Sequence, residues 1–327
     1  REYTQNRKLL RVAREVAAIT SAELSLLERK PIAEEINDTL AVQVMASGAC
    51  PLYCGRIMRD INLNVPTPLW LTQRLERSGL RSINPIVDIT NYVLLETGQP
   101  MHAFDLEKIK GNIQVRYAGR DEKMQLLNGN QIDLDSGMLL IADEQKPLAL
   151  AGIMGGLDSG VTQGATDIFL ESAFFSPDTI SGKSFQLGFS SDSAYRFERG
   201  VDFAATRDAL EYATHLIQTI CGGKAGPVTE IKHELPQRSS VHVRIGRIKR
   251  VLGIDIGKLQ VIDYFNRLRF EFLANEDTFN VTPPSYRFDL AIEEDFIEEL
   301  ARIYGYDQIP VHFPHGGMAM LPASETK

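Results

Sequence analysis

Residues 148–177, LALAGIMGGLDSGVTQGATDIFLESAFFSP, restrict the chain's options most, because they set a glycine-rich loop and a lone carboxylate between two apolar strands. Gly152, Gly155, Gly156 and Gly160 let the backbone turn tightly and approach a ligand where a Cβ would intrude. Glu171 follows inside IFLESAFF, a run that otherwise reads as a buried strand. Desolvating a carboxylate there is costly unless it has partners. Glu171 therefore either satisfies local backbone donors, the commoner case, or faces a pocket and accepts a hydrogen bond from a ligand.

Leu9, Val12, Ala13, Val16 and Ala17 recur at helical spacing, so residues 1–30 read as the tail of a domain whose start lies elsewhere. The first residue is Arg1 and not Met, which reads as a fragment. Strands are expected at 41–46 and 56–65 around a turn at 48–55. Thr67-Pro68 and Gly79 then bracket a helix carrying Leu69, Trp70, Leu71 and Leu75. From Arg81 short strands and turns are expected, with a strand near 112–117, a hairpin tipped by Asn128-Gly129, and strands at 139–142 and 148–151. A helix near 176–186 and a longer one over 204–221, stopped by Gly222-Gly223, close this part. Residues 31–226 thus read as one large mixed α/β domain of the α+β type, and 227–240 as a linker. Residues 241–310 read as a smaller unit with a helix at 258–268, paired strands at 269–273 and 278–282, and a last helix ended by Gly305. Residues 311–327 read as an irregular tail.

At 327 residues, 43% hydrophobic and 24% charged, the chain has enough material for two or three proper cores, so disorder is not expected. A net charge of −8 exerts no general pull on nucleic acid, and any such binding must come from a local surface. Cys50, Cys54 and Cys221 are too few for a disulfide framework, which suits a reducing cytoplasm, and Cys50 and Cys54 lack a second ligand pair at zinc spacing. No apolar run approaches membrane-spanning length and no signal-peptide pattern is present, so no membrane partner is expected.

Four constellations carry chemistry. Arg81, Thr90-Asn91 and His102 are strung through RSINPIVDITNYVLLETGQPMHAFD, where the polar side chains ordinarily satisfy nearby backbone and His102 follows a Gly-Gln-Pro turn able to present it to a cleft. The glycine loop with Glu171 is the second; it matches neither GxxxxGK[ST] nor GxGxxG, which favours a non-phosphate ligand. The third is FSSDSAYRFERGVD, with Ser191 and Ser193 in a polar loop and Arg196, Glu198 and Arg199 reading as an ion-paired surface. In the fourth, PPSYRFDLAIEEDFIEELARIYGYDQIP, Asp295, Glu298 and Glu299 share a helix face that Asp289 precedes. A solvated acidic first turn is the common reading, and a hard cation held by carboxylate oxygens is the functional one.

Five segments in this order, RSINPIVDITNYVLLETGQPMHAFD, LALAGIMGG, LESAFFSP, SAYRFERGVD and PPSYRFDLAIEEDFIEELARIYGYD, resemble the bacterial phenylalanyl-tRNA synthetase beta subunit. The resemblance implies the end of a B1 domain over 1–30, a B3/B4 editing domain over 31–226 and a small winged-helix-like B5 domain over 241–310. It also implies an α2β2 enzyme that joins phenylalanine to tRNA(Phe) with ATP, which this region does not bind, and an alpha subunit holding the aminoacylation site. The B3/B4 domain of the family hydrolyses mischarged Tyr-tRNA. Carried over by residue type, Glu171 would read the tyrosine phenol, His102 and Asn91 would hold the ester end or the attacking water beside Thr90, Gly155 would leave room for the ring, and Arg81 would contact the tRNA end. Ser191 stands where a threonine occurs, and Ser193 where an alanine lines the pocket. Asp289, Asp295, Glu298 and Glu299 match positions assigned to Mg²⁺ shared with the alpha subunit. Water attack aided by positioning is expected, with no covalent intermediate.

Two rival readings belong to other classes. A non-catalytic scaffold would only shape the tetramer and guide the tRNA end, and the Ser193 departure is the feature that keeps this rival open. A free-standing nucleic-acid-binding module, with Arg244, Arg247, Lys249 and Arg250 as its basic residues, would bind bare duplex DNA in a strongly salt-dependent way.

Overall fold

The structure is a computed structural model that describes residues 9–25 and 31–311; the expectations for residues 1–8, 26–30 and 312–327 lie outside the described residues. It divides into two units. The first holds the described residues through Ser239 together with Pro283–Asp289, and the second holds Ser240–Thr282 and the described residues from Leu290.

The first unit runs α1 (Leu9–Thr20), β1 (Val42–Val44), β2 (Leu52–Arg59), α2 (Leu69–Arg77), α3 (Pro85–Thr97), β3 (Met101–Asp105), β4 (Ile113–Tyr117), β5 (Lys123–Gln125) and β6 (Gln131–Asp133). It continues with β7 (Leu139–Ala142), β8 (Pro147–Leu150), β9 (Met154–Gly155), β10 (Ile168–Phe174), α4 (Pro177–Ile180), α5 (Lys183–Gln186), α6 (Asp192–Glu198), α7 (Thr206–Cys221) and β11 (Lys224–Lys232). A four-stranded antiparallel sheet in the order β11-β2-β10-β3 lies at its heart, and a second sheet follows the order β1-β4-β7-β8-β9. All seven residues of β10 are buried, as a strand flanked on both edges and covered on both faces demands.

One face of the central sheet is covered by α7, which packs on β2 and β10 and against α3. Ser172 marks that face by donating to the Thr206 carbonyl at 2.8 Å. So does Arg56, which meets Glu211 of α7 through two hydrogen bonds of 2.8 and 3.3 Å with both side chains buried. Because side chains alternate along a strand, Glu171 points the other way. The sheet therefore separates a helix-packed core from the side that carries Glu171.

The mixed α+β class agrees with the expectation, whereas several elements differ from it. The segment after Arg81 forms helix α3 instead of strands and turns. Nine of its thirteen residues are buried, so it lacks the polar face that marks a helix in sequence, and Ile86, Val87, Ile89 and Val93 lean toward strand. What makes it helical is local: Asn84 accepts from the Val87 amide at 3.0 Å, Pro85 opens the first turn, and Gly98 closes it with φ 80°. The strand expected at 56–65 lies earlier, at β2, and the linker expected from 227 begins as strand β11, whose residues to Lys232 pair with β2. The polar loop around Ser191 continues into helix α6, and the helix expected over 176–186 is two short helices separated at Gly182 (φ 75°). Phe288, in the returning segment 283–289, stacks on Phe174 at 6.3 Å.

The second unit runs β12 (Val241–Arg244), α8 (Ile245–Leu252), α9 (Lys258–Arg267), β13 (Glu271–Ala274), β14 (Thr278–Thr282) and α10 (Glu293–Tyr304), with a sheet in the order β12-β14-β13. Phe265 is fully buried and meets the rings of Phe270, Phe272, Phe279 and Phe296 at 5.5–6.3 Å, so this small unit takes much of its core from aromatic contacts. Among the described residues no helix is long and apolar enough to cross a membrane.

Candidate functional site

Strand register builds the site. Glu171 on β10 stands directly opposite Gly55 on β2 and His102 on β3, so these three positions form one row across the sheet and share its face. Gly55 is required by its neighbour: a Cβ there would come within 2.2 Å of the Phe169 ring. Tyr53, two residues along β2 on the same face, donates from its hydroxyl to Glu171 Oε2 at 3.1 Å.

A cavity of about 150 Å³ lies against this row. Its wall includes His102 and Glu171 from the central sheet, the 149–155 turn from the second sheet, and Ser193 and Phe197 from α6. The glycine-rich turn thus faces the carboxylate it precedes in sequence. Gly155 is tight in a particular way: a Cβ would sit 2.4 Å from Cε1 and 2.8 Å from Nε2 of His102. In this structure the space its missing side chain provides belongs to the His102 ring.

Burial dominates the electrostatics. Glu171, 6% exposed, is pushed up from 4.5 to about 7 by desolvation, with the Tyr53 hydrogen bond acting in the opposite sense. His102 is pushed down to about 4 by burial of its ring, which keeps the imidazole neutral near pH 7. Its Nε2 is enclosed and has no hydrogen-bond partner among the described residues. Such a nitrogen can accept a hydrogen bond from a substrate group or a water, yet it is too weak a base to remove a proton efficiently near pH 7. Tyr53 is pushed well up, first by burial and then by Glu171, and stays a donor.

Of the sequence-derived site residues, His102, Gly155, Glu171 and Ser193 line one cavity, whereas Arg81, Thr90, Asn91 and Ser191 do not. Thr90 is buried on α3 and its hydroxyl donates to the Val87 carbonyl at 3.0 Å, which is the ordinary structural use. Asn91 follows it on α3, half-buried, and Arg81 is exposed. Ser191 is the N-cap of α6, accepting from the Ala194 amide at 3.0 Å and donating to Ile153 O at 2.7 Å. Ser193 donates to Gly152 O at 2.9 Å, so both hydroxyls tie α6 to the glycine turn. The polar group that Ser193 adds to the wall is thereby satisfied from within.

Sequence reading missed Tyr53, Phe175 and Phe197. Nothing in LYCGRIMR singles out its tyrosine, because its link to Glu171 exists only once β2 and β10 are in register.

The acidic set is used otherwise. Asp289, in the first unit, is held below the usual carboxylate range by Arg287, which reaches it through bonds of 2.9 and 2.8 Å, although burial opposes this. In the second unit Asp295 accepts from the Ala291 and Ile292 amides at the start of α10, and Glu299 pairs with Arg302 at 2.5 Å. Glu298, on the same helix, also has a partner. Among the described residues no group of three or more His, Cys, Asp or Glu is placed to hold a metal ion.

A family model described as the B3/4 domain matches residues 49–222, more than half of the chain, and that span contains every residue lining the cavity. The chain belongs to the B3/4 domain family. Behind its B3/4 domain, residues 241–306 match a model described as the tRNA synthetase B5 domain. The chain is 59% identical over 320 residues to the phenylalanine–tRNA ligase beta subunit of Nitrosospira multiformis and 53% identical over 316 residues to that of Chromobacterium violaceum, in each case across 97% of this chain. It spans 40% of the length of those curated relatives. A solved N-terminal fragment of the phenylalanyl-tRNA synthetase beta subunit from Pyrococcus horikoshii matches 90% of this chain and 82% of its own at 16% identity and a TM-score of 0.43, a likeness too weak to bear on the assignment.

Proposed function

We propose that the B3/4 cavity hydrolyses tyrosine mistakenly esterified to tRNA(Phe), as part of the beta subunit of a bacterial phenylalanine–tRNA ligase. The observation that carries this reading is Glu171, a carboxylate buried in an apolar strand that lines a cavity of about 150 Å³. An apolar pocket rejects an added hydroxyl only about a hundredfold, whereas a site that hydrogen-bonds a hydroxyl rejects the analogue lacking it by roughly 10⁴ or more. A synthetic site for phenylalanine therefore benefits from a second site that selects the hydroxyl, and Glu171 offers its acceptor. His102 accepts a hydrogen bond from the ester end or the attacking water through Nε2, and hydrolysis proceeds by positioning.

In the whole enzyme the chain works with an alpha subunit in an α2β2 assembly, in the cytoplasm, on tRNA(Phe), with ATP consumed at the alpha subunit. Mg²⁺ near Asp289, Asp295, Glu298 and Glu299 would require the alpha subunit to supply or rearrange ligands. The test is deacylation of Tyr-tRNA and Phe-tRNA by the full α2β2 enzyme beside its Glu171→Ala and His102→Ala variants. Tyrosine-selective hydrolysis that collapses in Glu171→Ala is expected; unchanged selectivity would remove Glu171 from the role and leave the scaffold reading in front.

A further inference from the structure

Glu171 has two carboxylate oxygens, and the proposed reading uses only one of them. Oε2 receives the Tyr53 hydroxyl at 3.1 Å. Tyr53 is fully buried, and it is not part of the cavity wall. Its ring is held by β2, a strand whose residues 52–58 are all buried and which is paired on both sides, by β10 and β11. The hydroxyl therefore reaches Glu171 from a rigid position behind the site.

We propose that Tyr53 is a positioning residue for substrate selection, occupying Oε2 of Glu171 and so reserving Oε1 as the acceptor for a phenol in the cavity. This rests on the reading of Glu171 as the group that selects the tyrosyl substrate. A carboxylate with both oxygens free can swing about its last torsion and meet a ligand in many orientations. One fixed donor at Oε2 removes that freedom before substrate arrives, which is what selection by geometry requires.

The second consequence concerns ionisation. Among the described residues, the titratable groups around Glu171 are Tyr53 from β2, Cys50 just before β2, and His102 from β3. Burial keeps the Cys50 thiol protonated, with Glu171 adding to the effect, and burial keeps His102 neutral above about pH 4. Tyr53 is thus the group that favours ionised Glu171, against the desolvation that raises it to about 7. With its hydroxyl removed, Glu171 would ionise at higher pH, and selection by an ionised acceptor would follow.

The experiment measures hydrolysis of Tyr-tRNA and Phe-tRNA from pH 5.5 to 8.5, corrected for spontaneous hydrolysis. It uses the full-length beta subunit assembled with its alpha partner, as wild type, Tyr53→Phe, Glu171→Gln and the double variant. In wild type the Tyr/Phe rate ratio rises through about pH 7. Tyr53→Phe displaces that rise upward by about one pH unit, the scale of one hydrogen bond to a charged group, and so lowers the ratio roughly fivefold at pH 7 and about tenfold at pH 6. On the Glu171→Gln background the same change shifts no midpoint, since a glutamine side chain does not titrate.

An unchanged midpoint and ratio in Tyr53→Phe would overturn the proposal, as would an equal loss on both substrates at every pH, the mark of a merely structural role. If Glu171→Gln keeps the wild-type ratio, or wild type hydrolyses neither ester, the underlying reading of Glu171 fails. If Glu171→Gln loses the ratio and Tyr53→Phe does not, the role of Tyr53 alone fails.

Discussion

Glu171→Gln should stabilise the first unit while weakening its selectivity. The carboxyl ionises at about 7 in the folded chain against 4.5 for an ordinary glutamate, because burial disfavours its charge. The folded state therefore holds this proton more tightly than the unfolded state. The charge costs nothing below about pH 4.5, costs progressively more as pH rises, and reaches its full cost above about pH 7. About 2.5 pH units at ~1.4 kcal/mol each give roughly 3 kcal/mol of destabilisation at pH 8 that a neutral glutamine avoids. Glutamine keeps an acceptor for the Tyr53 hydroxyl, so little else changes. Trp70 is the chain's single tryptophan and lies on α2 in the first unit, so its fluorescence reports that unit during urea unfolding. The variant should gain up to ~3 kcal/mol at pH 8 and almost nothing at pH 4. The contribution of His102 changes between about pH 4 and 6.5 in both proteins alike and drops out of the difference. A loss of stability at pH 8, or the same gain at pH 4 and pH 8, would refute the claim that Glu171 is held at the expense of stability. Such a trade is the expected mark of a site kept for function.

His102 gives the opposite pH dependence: its depressed value means that stability present above about pH 6.5 is lost as pH falls toward 4, and NMR of the imidazole should show no titration between pH 5.5 and 8. Glu211→Gln, which leaves Arg56 buried with a weakened partner, should cost about 3–5 kcal/mol in the Trp70-monitored transition. Gly155→Ala should push the His102 ring out of place, costing about 1–3 kcal/mol in thermal unfolding and reducing hydrolysis of Tyr-tRNA. Asn84→Ala removes the cap at the start of α3 and should cost about 1 kcal/mol by the same unfolding assay.

The chain's own order carried a great deal. Periodicity and punctuation were enough for α7, α9, α10 and the Asn128-Gly129 hairpin, because each has an apolar stripe or a turn that needs particular residues. They failed at α3 and β2, which are buried on nearly every side and so carry no polar face to betray their period. At the site, the sequence by itself determined that a carboxylate sits in an apolar strand behind a glycine-rich turn, since both facts are local. Only the tertiary structure decided that Glu171 faces His102 and Gly55 across three strands, that Gly155 makes space for an imidazole, and that Tyr53 stands behind the carboxylate. Those relations depend on register between segments about 50 to 120 residues apart, which spacing along the chain cannot encode.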